Sequence, residues 1–302
     1  MYLIPTLFAL STGIASATNL FISDYSGTIT SVALTEKNGN YSLEQTFTNT
    51  DCAPNPSWLT IDPNCGLLFC LNEGLETRNG SLSSFTISPN GKLIHVKNAT
   101  TPSGPVSGVI YGNAAGQRAI ALAHYTGSAV SSWLLQGKGE FTQNQALFYT
   151  LPQPGPDPER QDAPHEHEAI LDPTGQYILV PDLGADLVRI YSWDQSTLIL
   201  TALSPLKAES GSGPRHAAFW NPYGVACEGC TTYFYLVSEL ASTVTSYAVS
   251  YLANGSGLSF TEVSKQSTFG LLKPPKGNAP AEIHVTVSRR SQKRCKVNAD
   301  KN

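Results

Sequence analysis

Pro164-His165-Glu166-His167-Glu168 sets two imidazoles and two carboxylates in one short run. In an extended chain successive side chains point to opposite sides, so His165 and His167 share one face and Glu166 and Glu168 the other. Imidazole titrates near neutrality and can both take and give a proton. Gly213-Pro214-Arg215-His216 adds a third imidazole and a guanidinium, a natural partner for a carboxylate or phosphate. Leu236-Val237-Ser238-Glu239 ends an apolar run on a carboxylate, where charge is costly unless it is paired or used. Structural roles account for the same residues: Glu239 can pair with Arg215, and the two histidines can be hydrogen-bonded residues lining a channel. As a set, they suit a site that moves a proton beside an anionic group. His165, His167, Arg215 and Glu239 are the catalytic candidates, with Arg215 and His216 against the substrate. A His-x-His pair can also chelate, but nearby spacing offers no dependable third ligand, so neither a metal nor another cofactor is expected. No G-x-S-x-G occurs, which argues against a serine nucleophile on an elbow.

Something must bring these residues together, and the chain repeats. Trp58–Cys70, Ala169–Val180 and Ala217–Gly224 each read as a strand-like run followed by a Pro- and Gly-containing turn; Val109–Ile120 is a weaker copy without the proline. Copies recur roughly 50 to 60 residues apart and continue into alternating runs such as Leu187–Trp193 and Thr243–Val249. Period-two alternation with β-branched and aromatic residues predicts antiparallel strands, and no stretch has helical periodicity. About four strands per repeat predict an all-β chain, a β-propeller of four-stranded antiparallel blades. A sandwich or jelly roll does not normally repeat a turn motif at this interval. Six residues before the turn prolines Pro63, Pro173 and Pro222 stand Ser57, His167 and His216. Innermost strands line the channel, so His167 and His216 are predicted to approach each other. The count is three strands of a first blade, four full units, and a single strand at Asn278–Val285. The propeller domain then spans 18–287, about five blades plus one strand, and 288–302 is a basic non-blade tail. An unpaired strand edge is a liability, so a departure of the reading frame or splicing near Thr286 is expected.

Of 302 residues, 41% are hydrophobic and 14% charged, which excludes a disordered chain. Net charge is -4, but Arg289–Asn302 holds six of the 19 basic residues, leaving the rest at -9. So acidic a body repels phosphate backbones, and no nucleic-acid partner is expected. Met1–Ala17 is almost uncharged and ends in Ala15-Ser16-Ala17, the pattern of a secretory signal peptide. The expectation is a secreted protein with no membrane association after cleavage. Sequons at Asn40, Asn79, Asn98 and Asn254, each expected in a loop, fit that compartment. Six cysteines allow fifteen pairings, and spacing does not choose among them. Cys227-Glu-Gly-Cys230 lacks the context of a redox or zinc motif and reads as a loop staple. Nothing in the chain sets an oligomeric state.

Pro164–Asp186, with its Asp182-Leu-Gly-Ala-Asp186 segment, resembles the signature of the lactonase family of seven-bladed β-propellers. Gly213–His216, Ser238–Tyr247 and Ala279–Ile283 match its later blades in order. The resemblance implies an incomplete seven-bladed propeller. Its implied site is metal-independent, with a histidine from His165/His167, Arg215 and Glu239. It implies a small anionic lactone or muconate-like substrate, with ring opening as in 6-phosphogluconolactone hydrolysis or ring closure as in a carboxymuconate cyclase. Rival expectations are a secreted binding propeller without turnover and an inactive truncated family member.

Overall fold

The computed structural model describes residues 17–222, 231–275, 277 and 279–286. Alternating segments become strands throughout. The first sheet has three strands, β1 (Thr18–Asp24), β2 (Thr28–Lys37) and β3 (Asn40–Asn49). The second comprises β4 (Pro56–Asp62), β5 (Leu67–Asn72), β6 (Gly80–Ile87) and β7 (Leu93–Thr101). The third is β8 (Pro105–Gly112), β9 (Arg118–His124), β10 (Ala129–Leu135) and β11 (Phe141–Phe148). The fourth is β12 (Ile170–Leu171), β13 (Ile178–Asp182), β14 (Leu187–Trp193) and β15 (Leu200–Lys207). The fifth is β16 (Pro214–Trp220), β17 (Thr232–Ser238), β18 (Thr243–Tyr251) and β19 (Leu258–Ser267). Every pairing is antiparallel between sequence neighbours. Two short 3-10 turns, Gly137–Gly139 and Ala253–Gly255, are the helical pieces among the described residues.

Leading strands stand side by side: β4 touches both β1 and β8, β8 touches β12, and β16 meets β13. That is blade packing around an axis, and the sheets bury both faces. Ile178 and Val180 pack with Ala119, Ala121 and Val130 of the third sheet, while Leu179 between them packs with Phe234 and Leu236 of the fifth. Phe69, Leu71 and Leu82 meet Ile120, Trp133 and Phe141 across the second interface. Each such side chain contributes about 1.5–3 kcal/mol on burial. Double-faced burial explains why Ile178–Val180 is continuously apolar.

Two expected strands differ. Ala279–Thr286 forms no strand. An extended segment needs a neighbour to satisfy its backbone groups, and no described strand pairs with it. The leading strand of the fourth sheet is cut to Ile170–Leu171. Upstream, the His167 amide donates to Pro181 O at 2.9 Å and Glu166 bridges Asp182. Pro181 has no N–H to return, so the ladder cannot close there.

Cys52 and Cys70 form a disulfide joining the crossover before β4 to β5, and Cys65 is reduced and exposed. Asn98 lies within β7, not in a loop, and its amide donates to Ser83 Oγ at 2.8 Å. Most of the expected signal peptide, Cys227, Cys230, Cys295 and the basic tail lie outside the described residues. No helix among the described residues is long and apolar enough to cross a membrane.

Candidate active site

A cavity of about 430 Å³ opens where the leading strands converge. Every sheet contributes to it. Tyr25 comes from the first, Ser57, Trp58 and Glu73 from the second, and Val106 and Tyr125 from the third. His167 precedes β12, Arg215 and His216 lie on β16, and Arg160 and Glu282 come from non-strand segments. The register count from the turn prolines thus brings Ser57, His167 and His216 to one hollow.

The polar groups form one connected line. Glu239, 7% exposed at the end of β17, takes Arg160 Nη2 on Oε1 at 2.6 Å and Arg215 Nη1 on Oε2 at 3.1 Å. Arg215 Nη1 is also 2.5 Å from His167 Nε2, and His167 Nδ1 is 3.2 Å from His216 Nε2. His216 Nδ1 lies 2.9 Å from Glu282 Oε2. A guanidinium only donates, so His167 Nε2 accepts and its proton sits on Nδ1. The His167 proton affinity is held well below the ordinary imidazole value by burial, then by the Arg215 and His216 charges. His167 is therefore a neutral base beside a fixed cation. Burial also lowers His216, against the opposing pull of Glu282.

Glu168, beside His167 in the segment leading into β12, accepts the Ala217 amide at 2.6 Å and ties that segment to the fifth sheet. Burial pushes its carboxyl up to about 8 despite that bond. Donor atoms of Glu168, His216 and Glu282 all lie within 4.8 Å of one another. Those three are the described residues that could hold a cation. They differ from the His165/His167 pair the sequence offered, because the third ligand comes from another part of the chain.

His165 does not line the cavity. Its ring stacks on Tyr125 at 4.4 Å, with Nδ1 2.8 Å from Tyr125 O and Nε2 2.9 Å from Asp162 Oδ1. Both ring nitrogens are engaged, so the structure places it as a support behind Tyr125, correcting the expectation that it faces substrate. The Asp182–Asp186 segment is a further support. Asp182 accepts the His165 amide at 2.8 Å and Arg189 Nη2 at 2.5 Å, while Arg189 Nε reaches Glu166 at 2.8 Å. Asp186 accepts the Gly211 and Gly213 amides at 2.6 and 2.9 Å, fixing the approach to Arg215. Between these aspartates a Cβ on Gly184 would collide with the Ala163 carbonyl oxygen. Gly213, at φ +62°, turns the chain into β16 with Leu240 packed against it.

Sequence reasoning missed Arg160, Tyr125 and the part played by Glu282. Arg160 sits in a proline-rich crossover with no repeat equivalent, so register counting could not reach it. A larger groove, about 610 Å³, runs along residues 151–156, 184–187 and 207–210. Its Asp186 is committed to backbone amides, so the grouped bases and cations belong to the smaller cavity.

A family model described as lactonase, seven-bladed β-propeller, matches residues 14–292. A probable 6-phosphogluconolactonase from Arthroderma benhamiae is 32% identical over 259 residues, which is 86% of this chain and 62% of that protein. The chain therefore spans about three-fifths of that relative's length. A solved structure from Bacteroides fragilis superposes with a TM-score of 0.68 at 22% identity, covering 86% of this chain and 69% of its own. The periplasmic gluconolactonase of Pseudomonas aeruginosa gives 0.65 at 24% identity, covering 87% and 70%. At these identities the solved structures speak for the fold.

Proposed function

Because the chain belongs to the lactonase family of seven-bladed β-propellers, we propose that it hydrolyses a small anionic sugar lactone of the phosphosugar kind. The reaction would take place in the cavity around His167, Arg215 and Glu239. The observation that carries this reading is the unbroken contact from Glu239 through Arg215 to His167. It sets a neutral base and a fixed cation on the cavity wall, with a buried carboxylate holding the cation.

In the proposed reaction the lactone carbonyl oxygen takes a hydrogen bond from Arg215, drawing that guanidinium away from His167 Nε2. The freed Nε2 removes a proton from water as the water oxygen bonds to the carbonyl carbon. Negative charge gathers on the carbonyl oxygen, where Arg215 stabilises it. The ring C–O bond then breaks, the leaving oxygen takes the proton back from His167, and the new carboxylic acid releases its remaining proton to solvent and departs as the carboxylate. Glu239 keeps Arg215 in place, and His216 with Glu282 steadies the imidazolium from behind. His165 holds Tyr125 against the cavity. The relatives' names support ring opening and give no support to the muconate-cyclising direction.

Purified protein assayed on 6-phosphogluconolactone, gluconolactone and carboxymuconate tests the reading. Ring opening should fall at least about 100-fold in Arg215→Ala and His167→Ala. Unchanged turnover in Arg215→Ala refutes its assigned role. Ligand binding without any turnover by the native chain favours the binding-propeller alternative.

A further inference from the structure

Crossovers between sheets are short: residues 50–55, 102–104 and 208–213 suffice for three of them. The connection between β11 and β12 takes residues 149–169. Prolines at 152, 154, 156, 158 and 164 restrict its backbone. Gln161, fully buried, nails it down: Nε2 donates to Leu183 O at 2.9 Å, Oε1 accepts the Asp157 amide at 3.2 Å, and Gln161 O accepts the Gly155 amide at 2.8 Å. So firmly held a loop delivers the preceding residue, Arg160, to a fixed place at the cavity wall. Its Nη2 lies 2.6 Å from Glu239 Oε1 and 3.3 Å from Tyr125 Oη. The Arg160 side chain is 41% exposed, against 22% for Arg215.

We propose that Arg160 is the phosphate-recognising residue of the site, an assignment that rests on the phosphosugar-lactone reading above. Such a substrate has two anionic demands. One end carries a full phosphate charge, and the other develops charge on the carbonyl oxygen during ring opening. Two guanidiniums on opposite oxygens of one carboxylate meet both demands. Arg215 touches His167 and so serves the reacting carbonyl. Arg160 is bonded to the other Glu239 oxygen and is the more open to incoming solute. A guanidinium offers a fork of donors that matches phosphate oxygens. Glu239 sets the two cations apart and offsets their mutual repulsion.

Calorimetric binding of 6-phosphogluconate and of gluconate, neither of which carries a lactone to open, tests this apart from turnover. The native chain should bind 6-phosphogluconate about 10- to 100-fold more tightly, the usual worth of charge-assisted hydrogen bonds. Arg160→Ala should remove most of that difference while gluconate affinity stays within about two-fold, and Arg160→Lys should retain part of it. Thermal melting of both variants, with Arg160→Gln as a third, checks that the fold persists. Equal affinity of the native chain for both ligands, or an equal loss for both in Arg160→Ala, overturns the assignment. Phosphate preference through Arg160 without lactone opening instead overturns the hydrolytic reading and leaves Arg160 standing.

Discussion

At the scale of single residues, the site depends on His167 being neutral while touching a guanidinium. Burial, Arg215 and His216 all oppose its protonation, so a falling pH should leave the base competent below the ordinary imidazole value of 6.5. The acid limb of kcat/KM for lactone opening is accordingly expected below pH 6.5. A limb centred at or above that value would mean that another group, or a protonated His167, controls the reaction. Repeat register made His167 and His216 legible as neighbours; Arg215 and Glu239 stood out only as a guanidinium beside His216 and a carboxylate ending an apolar run. Arg160 and Tyr125 were not, since neither stands at the counted repeat position. The expected facing of His165 failed for a local reason: Asp162 and the Tyr125 carbonyl claim both of its nitrogens.

Elements hold these residues through buried polar clamps. Arg189 on β14 sits between Glu166 and Asp182, both with no exposure, and lies 3.5 Å from the Tyr149 ring centre. Burial and the Asp182 charge push the Glu166 carboxyl up to about 8 even with Arg189 beside it. Arg189→Met would leave two buried carboxylates without their cation, and a loss of about 3–5 kcal/mol in urea unfolding is expected. A loss under about 1 kcal/mol would mean water reaches the pair, as it does in surface ion pairs. The strand pattern was readable because alternation and turn residues are local signals. Shortening of β12 was harder to foresee, since it depends on which residue of β13 opposes His167. That residue is a proline.

Across the described residues, buried titratable groups and the Cys52–Cys70 link set the response to solution conditions. His124 is fully buried between Pro102 O and Ser131, and burial takes its pKa to about 3. Its folded value is depressed, so the unfolded chain binds the extra proton and stability falls as pH drops from 6.5 toward 3. Glu168 runs the other way. Its folded value is raised from 4.5 to about 8, so stability falls as pH rises across that interval. Thermal midpoints measured against pH should lose part of the decline between pH 4.5 and about 8 in Glu168→Gln, and an unaltered decline would reassign it to other groups. The Cys52–Cys70 bridge closes a sequence separation of 18 residues. Opening it with Cys52→Ala/Cys70→Ala should cost about 3 kcal/mol by loop entropy. A double variant as stable as the native chain would show that the interface of the first two sheets holds without the link.

By itself the sequence determined the strands, the blade repeat and the shared register of Ser57, His167 and His216. Each follows from near-neighbour rules: alternation chooses a face, turn residues choose where strands reverse, and recurrence makes the units equivalent. The tertiary structure alone decided that Cys52 pairs with Cys70, that His165 stands behind Tyr125, and that Arg160 shares Glu239 with Arg215. Those outcomes rest on distances between residues far apart in the chain, set by how sheets pack and where a nailed-down crossover ends. Local pattern holds no measure of such distances.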